Sequence, residues 1–328
     1  VGRQLPKYIE GYGEVKPYRG TFEMGVEGRK YAPMKSLSIP GVEKILSSIK
    51  EAIVKAGVKD GMTISFHHHL RNGDYILNMV MDEIASLGIK DITICASSLT
   101  GAHEPLLDHI NNGVVTGLQT SGLRGKLGQE VSLNNILGKP VIFRTHGGRA
   151  RAIESGEVKI DVAFIAAPAC DPMGNMNGRD GKSAFGSMGY PMVDAKHADK
   201  VVAITDNLVD YPLYPASIDQ TLVDYVVVVD EIGDPSKIAT GATRVTKSPT
   251  ELLIAEYAAE VLIASGLVKE GFSFQAGSGG ASLAVARNLR EYMLENNIVG
   301  SFASGGITST LVELLEEGLF KALLDTQT

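Results

Sequence analysis

Met62-Thr63-Ile64-Ser65-Phe66-His67-His68-His69-Leu70-Arg71-Asn72-Gly73-Asp74 is the stretch from which the fold is read. Residues 62–66 predict a strand, the polar run after them a loop, and residues 75–87, closed by Gly88, a helix. Strand, polar loop and helix in that order form the ligand-binding corner of a parallel sheet. The same unit repeats downstream, with strands predicted at 91–96, 114–119, 140–144, 162–166, 201–205 and 225–229 and helices such as 104–110 between some of them. Upstream, Val42, Ile45, Leu46, Ile49, Ile53 and Val54 recur at helical spacing, and Gly57 ends that helix. Several of the strands are continuous apolar runs, as expected where both faces are covered. Repeated strand–helix alternation gives an α/β protein with a doubly wound, mainly parallel sheet.

Residues 1–40 mix Tyr, Gly, Pro and charge without periodicity. They read either as an extended arm that wraps a partner or another subunit, or as a partly ordered tail. The first α/β domain is expected at 41–232, and the polar, turn-rich 233–250 reads as a linker. A second α/β unit begins at 251, with helices at 251–263, 282–294 and 310–317 and strands at 272–276, 299–303 and from 321. Two strands and a third just starting make a poor sheet, so the sequence is expected to be a fragment, or to have its second half completed from elsewhere.

Composition narrows the function. The 328 residues fit about two domains. With 44% hydrophobic and 21% charged residues, the bulk of the chain is not disordered. Lys and Arg total 31 against 38 Asp and Glu, for a net charge of −7, and there is no basic run, which argues against a nucleic-acid binder. No 18-residue apolar run predicts a membrane span, and the N-terminus lacks a signal-like apolar stretch, so a cytoplasmic protein is expected. Cys95 and Cys170 each lie in or beside an apolar stretch and read as reduced core residues.

Several motifs carry chemistry. Around the triple histidine, the following helix N-terminus and Arg71 suit an anion, and Asp74 suits a helix cap. Structural histidines and a metal site are the alternatives. Consecutive histidines on extended backbone point alternately, and no nearby carboxylate or Cys completes a ligand set, so no metal is expected. Thr120-Ser121-Gly122-Leu123-Arg124-Gly125 and His146-Gly147-Gly148-Arg149 each follow a strand, so Arg71, Arg124 and Arg149 fall on one sheet edge and suit a polycarboxylate. Asp171-Pro172-Met173-Gly174-Asn175 is a turn signature. Gly277-Ser278-Gly279-Gly280 and Ser304-Gly305-Gly306 are glycine turns between strand and helix, of the kind that hold phosphates or stabilise an oxyanion. The spacing Gly277, Gly279, Ser282 misses the dinucleotide fingerprint, and no Walker lysine follows. No clear Asp/Glu–His relay for enediol chemistry is evident.

Taken in order, SFHHxxRxGD (65–74), TSGLRG (120–125), HGGR (146–149), GSGGASLAVAR (277–287) and SGGITSTLVEL (304–314) resemble the citrate lyase α subunit family, over essentially the whole chain. The resemblance implies two CoA-transferase-like (NagB/RpiA-like) domains, the second incomplete here because family members continue further. It implies a transferase that exchanges acetyl for citryl on an acyl-carrier thioester and releases acetate. A β subunit then cleaves the citryl thioester to oxaloacetate. The implied partners are that β subunit and the acyl carrier (γ) subunit, in an oligomer. No tightly bound cofactor is implied. The co-substrate is the carrier's dephospho-CoA-derived group or a CoA thioester.

On this resemblance the citrate side is expected at His67, His68, Arg71, Asp74, Ser121, Arg124, His146 and Arg149, and the acyl-thioester side at Gly277, Ser278, Gly279 and Gly280. Many CoA-transferases carry a nucleophilic glutamate after a serine where this chain has Ser304-Gly305. Gly305 and Gly306 are therefore expected to form an oxyanion or acyl turn without a glutamyl nucleophile, and Glu313 is expected to have no covalent role. The alternatives are another carboxylate CoA-transferase or thioester hydrolase on the same fold, and a non-catalytic docking subunit.

Overall fold

Val162–Ala167 is apolar and buried at every position, as a strand covered on both faces must be. It lies near the middle of an eight-stranded, all-parallel sheet in the computed structural model, which describes residues 4–17, 30–238, 245–277, 279–305 and 307–324. Along the chain the strands of this sheet are β1 (Ile45–Leu46), β2 (Thr63–Phe66), β3 (Ile92–Ala96), β4 (Val115–Thr120), β5 (Ile142–Phe143), β6 (Val162–Ala167), β7 (Lys200–Thr205) and β8 (Tyr225–Val228). Helices α1 (Ile49–Ala56), α2 (Ile76–Ser86), α3 (Leu106–Asn111), α4 (Gly125–Asn134), α5 (His146–Glu154) and α6 (Gly189–His197) connect them.

The spatial order is β1-β8-β7-β6-β2-β3-β4-β5. From β2 the chain steps outward to β5, then returns to lay β6 on the other side of β2 and continues to β8. The direction therefore reverses between β2 and β6, and ligands of such sheets bind in the crevice outside the strand ends at that reversal. Phe66 and Phe164 stack across it at 5.9 Å, both buried. Removing a ring of this kind costs about 3–5 kcal/mol.

One predicted element differs. The helix read from Val42 starts only at Ile49, because the Ser48 side chain accepts the Glu51 N–H and caps it there. Ile45 and Leu46 instead pair with Val226 and Val227 as the edge strand. Gly57 stops the helix as expected, at φ +72° and with its N–H on Ile53 and Val54 carbonyls.

Within the expected arm, Tyr8–Ile9 and Gly13–Glu14 form a short antiparallel hairpin. Further on, Ser38 Oγ donates to Val223 O at 2.7 Å, and Lys35 Nζ pairs with Asp224. The chain divides into two units, 1–238 and 239–328. The division falls inside the expected 233–250 linker, yet Gly233–Ile238 belong to the first unit: Asp74 bridges to Gly233, and Asp234 N donates to Gly73 O at 2.9 Å.

The second unit contains α7 (Pro249–Ala264), β9 (Ser273–Ala276), α8 (Gly280–Glu295), β10 (Phe302–Gly305), α9 (Ser309–Glu316) and β11 (Leu323–Leu324). Its three strands are parallel in the order β9-β10-β11, around a core that includes Leu283, Leu289, Met293, Leu311 and Phe320. Among the described residues no helix is long and apolar enough to cross a membrane. Cys95 and Cys170 are free and buried.

Candidate active site

The loops after the C-terminal ends of β2 through β6 carry the residues singled out in the sequence. After β2, the extended backbone turns His67 and His69 to one side, where their Nδ1 atoms meet at 3.0 Å. His68 turns the other way: its N–H donates to Ser97 Oγ at 2.9 Å, and its Nδ1 lies 2.6 Å from the same oxygen. All three rings are buried. Burial first, then neighbouring charge, pushes His67 down to about 3 and His68 to about 2, and holds His69 well below its ordinary value. The three are therefore neutral at pH 7.

His67 is not free to serve a ligand. Its Nε2 takes the Ala166 backbone N–H from β6 at 3.1 Å, and its Nδ1 is used by His69. It ties β2 to β6 across the reversal. Asp74 is likewise committed: one oxygen accepts the Ile76 N–H at the start of α2 at 2.8 Å, and the other meets His103 Nε2 at 2.9 Å, both side chains buried. The N-cap position of α2 falls to Tyr75, one residue after the expected Asp74, and Asp74–His103 is a carboxylate–histidine pair that the sequence reading missed.

Arg71 stands in a three-residue 3-10 turn with φ +57°, unusual for a branched-out side chain, and its N–H donates to His68 O at 2.9 Å. The neighbouring Gly73 has no room for a Cβ, which would lie 2.4 Å from Asp234 O. The loops after β3 and β4 pair with each other, Leu99 N on Gly122 O at 2.8 Å and Arg124 N on Leu99 O at 3.1 Å. This places Arg124 at the start of α4, exposed, with no side-chain hydrogen bond or ion pair among the described residues. Its charge reaches both His68 and His146.

Ser121 Oγ bonds Ser97 O and lies 3.0 Å from His146 Nδ1. His146 opens α5, where Thr145 caps through Gly148 N at 3.0 Å, and its ring stacks on His68 at 5.7 Å. Arg149 departs from the expectation of a substrate clamp. It is buried, and its guanidinium makes two 2.8 Å bonds to Asp194 of α6 and a 3.2 Å bond to Cys95 O. A fork already filled by a carboxylate acts on the site by holding α5 and α6 together. It therefore positions His146 and Tyr190, whose rings lie 5.4 Å apart.

Asp171 is the hub of the next loop. One of its oxygens accepts the N–H groups of Met173, Gly174 and Asn175, and the other accepts Asn175 Nδ2 and Leu213 N. The turn signature read there is a buried carboxylate organising backbone.

In the second unit, β9 and β10 pair Ala276 with Gly305, which sets Gly277 at the same strand edge as Gly305. Gly279 caps α8 and Gly280 opens it. Gly305 has φ +114°, and a Cβ there would lie 2.2 Å from Ala276 O. Neither a glutamate nor any other side chain fits without moving backbone. Ser278 and Gly306 lie outside the described residues. No cluster of three or more His, Cys, Asp or Glu disposed to hold a metal occurs among the described residues.

Sequence reasoning missed His69, Ser97, Tyr190 and Asp194. Ser97 carried a signal, since it directly follows a predicted strand. Asp194 carried none, being a helix residue 45 positions beyond Arg149.

A large parallel α/β sheet followed by a smaller parallel unit is a fold of the CoA-transferase class. An acyl-CoA transferase from Escherichia coli O157:H7, solved as a thioester complex with CoA, shares it at TM-score 0.55 and 16% identity, over 88% of this chain and 70% of that one. Within that class, the chain belongs to the citrate lyase alpha subunit family: the family described as "Citrate lyase, alpha subunit (CitF)" matches residues 42–328. The citrate lyase alpha chain of Haemophilus influenzae is 54% identical over 87% of this chain and 57% of its own length. A crystal structure assigned to the alpha subunit of citrate lyase from Streptococcus mutans, in complex with citrate, superposes at TM-score 0.92 with 56% identity. It covers 100% of this chain and 63% of that one. The chain thus spans little more than half the length of the curated relative.

Proposed function

We propose that the chain carries the citrate-binding and acyl-transfer machinery of a citrate lyase: citrate displaces acetate from an acetyl thioester on an acyl carrier. The observation that supports this most is the charge at the sheet reversal. Arg71 and Arg124 bear on His68, and Arg71 and Arg149 on His69. Positive charge gathered at one sheet edge suits an anion, and citrate carries about three charges that match guanidinium forks. The citrate-bound S. mutans relative is consistent with it.

Arg124, Arg71, His68 and His146 are assigned to citrate. Ser121, Asp74, His67 and Arg149 are assigned to holding them in place. Gly277, Gly279, Gly280 and Gly305 offer backbone to the acyl thioester, with Ser278 and Gly306 assigned there on sequence.

Because position 305 admits no side chain, a citrate carboxylate oxygen attacks the acetyl carbonyl directly. The C–S bond breaks, the carrier thiolate leaves, and a citryl–acetyl anhydride forms. The thiolate then attacks the citryl carbonyl and acetate departs. No net proton is consumed. The protein contributes positioning and backbone donors for the developing oxyanion. The partners on this reading are the acyl carrier and a β subunit that cleaves the citryl thioester, in an oligomeric cytoplasmic complex.

The test is exchange of labelled citrate with acetyl-CoA or acetyl carrier, following citryl thioester by mass spectrometry. Citryl thioester with equimolar acetate is expected. A glutamyl adduct trapped by borohydride or hydroxylamine would favour the broader CoA-transferase or hydrolase reading. Carrier binding without turnover would favour the docking role.

A further inference from the structure

The hydrogen bonds of His67 and His69 determine where every proton of that pair sits. A backbone N–H can only donate, so the Ala166 N–H placed 3.1 Å from His67 Nε2 fixes that nitrogen as bare. Neutral His67 must then carry its proton on Nδ1. The 3.0 Å contact to His69 Nδ1 therefore runs from His67 to His69, and His69 Nδ1 accepts. Neutral His69 must in turn carry its proton on Nε2. Two forced steps thus lead from a sheet backbone amide to one N–H group at the ligand-binding edge of the sheet.

That N–H is buried and has no hydrogen-bond partner among the described residues. His69 is 3% exposed, with the rings of Phe185 and Tyr190 at 4.8 and 5.7 Å and that of His68 at 6.0 Å. Buried donors in native proteins are paired, with protein, ligand or ordered water. The charges of Arg71 and Arg149 also act on this ring. The relay keeps the His69 proton on Nε2, so the donor is present whether or not it is occupied.

We propose that His69 Nε2–H is a ligand-facing donor that takes a carboxylate oxygen of the bound substrate, with His67 the positioning residue that fixes its tautomer. This rests on the citrate reading above and adds to it the one histidine of the 67–69 run that reading did not use.

The experiment is 15N NMR of the full chain labelled at histidine, with and without citrate, using acetate as a monocarboxylate control. It is paired with calorimetry on His69→Phe and His69→Gln. The free chain should show His69 protonated at Nε2, and citrate should move that resonance downfield. His69→Phe should weaken citrate binding by about tenfold or more, as losing a hydrogen bond to a charged group does, and His69→Gln, which restores an N–H, should recover part of it.

A His69 protonated on Nδ1 overturns the relay. A resonance that citrate leaves unmoved while citrate binds the parent chain, or His69→Phe binding as tightly as the parent, overturns the assignment and leaves water as the occupant. The citrate reading survives that result. No citrate binding by the parent chain overturns both. If His69→Phe does not fold, the titration of the parent chain decides alone.

Discussion

Arg149 and Asp194 form a buried, two-pronged ion pair, Nη1–Oδ1 and Nη2–Oδ2 both 2.8 Å, joining the helix that begins at His146 to the helix that carries Tyr190. Breaking it from the acid side leaves a guanidinium buried with only the Cys95 carbonyl for company. Asp194→Ala should therefore destabilise the chain by about 3–5 kcal/mol. Asp194→Asn keeps an acceptor oxygen and should lose less. Urea denaturation reads both, and an Asp194→Ala midpoint equal to the parent's would refute a structural role for the pair.

The comparison of sequence with structure turns on such partners. The strands of the large sheet were legible because their apolar runs are unambiguous, and the strand ends located the loops of His67, Ser121 and His146. That Arg149 points inward was not legible, because the local sequence of an arginine filled by a distant carboxylate is the same as that of an empty one. His69 was passed over because alternation separates it from His68 without saying which ring faces a ligand. Ile45–Leu46 was read into a helix because two residues of edge strand have no period of their own, and pairing with Val226 and Val227 overrides the helical spacing. Ser48 offered the correcting signal, as a cap residue just before Ile49.

The histidine cluster makes stability depend on pH in the mildly acidic range. Folded His67 and His68 titrate near 3 and 2, chiefly because they are buried, and then because His68 and Arg149 face the first ring while His69, Arg71, His146 and Arg124 face the second. Unfolded, each titrates near about 6.5. Their contribution is complete above about 6.5. Below it the unfolded chain binds more protons, so stability falls with pH by about 1.4 kcal/mol per unit for each histidine. The urea midpoint should drop between about pH 7 and about pH 5, where most carboxylates are still ionised. His68→Gln should flatten the slope by about one proton's worth. A parent midpoint constant over that interval would show that the histidines are not held neutral.

Gly305 is a second place where chemistry and backbone meet. At φ +114°, with Ala276 O 2.2 Å from any Cβ, Gly305→Ala must either strain the strand end or push β9 away. A cost of about 1–3 kcal/mol or more is expected, together with loss of acyl exchange. Gly305→Glu should behave the same way, giving no covalent adduct although it supplies the residue type that many CoA-transferases use. Thermal unfolding and adduct trapping measure the two effects. An active Gly305→Glu with a trapped glutamyl thioester would mean that the strand end relaxes and that direct attack by citrate is the wrong mechanism.

Arg124 and Arg149 looked equivalent as strand-end arginines, and the structure separates them into a measurable contrast. Arg124 is exposed and unpaired among the described residues, so Arg124→Ala removes no hydrogen bond or ion pair among them and should shift stability by less than about 0.5 kcal/mol. If it faces citrate, the same change should raise the citrate dissociation constant by about tenfold or more, since a charge-assisted contact is lost. Arg149→Ala should do the reverse in order of cause. It strands Asp194 in the interior, lowers stability by about 3–5 kcal/mol, and weakens citrate binding only through displaced His146. Arg149→Lys should rescue little of this, because an ammonium cannot fill both carboxylate oxygens as the fork does. Calorimetry with citrate and urea denaturation on the same three variants test the contrast. Equal losses of stability at both positions would place Arg124 in the framework and remove it from the citrate site.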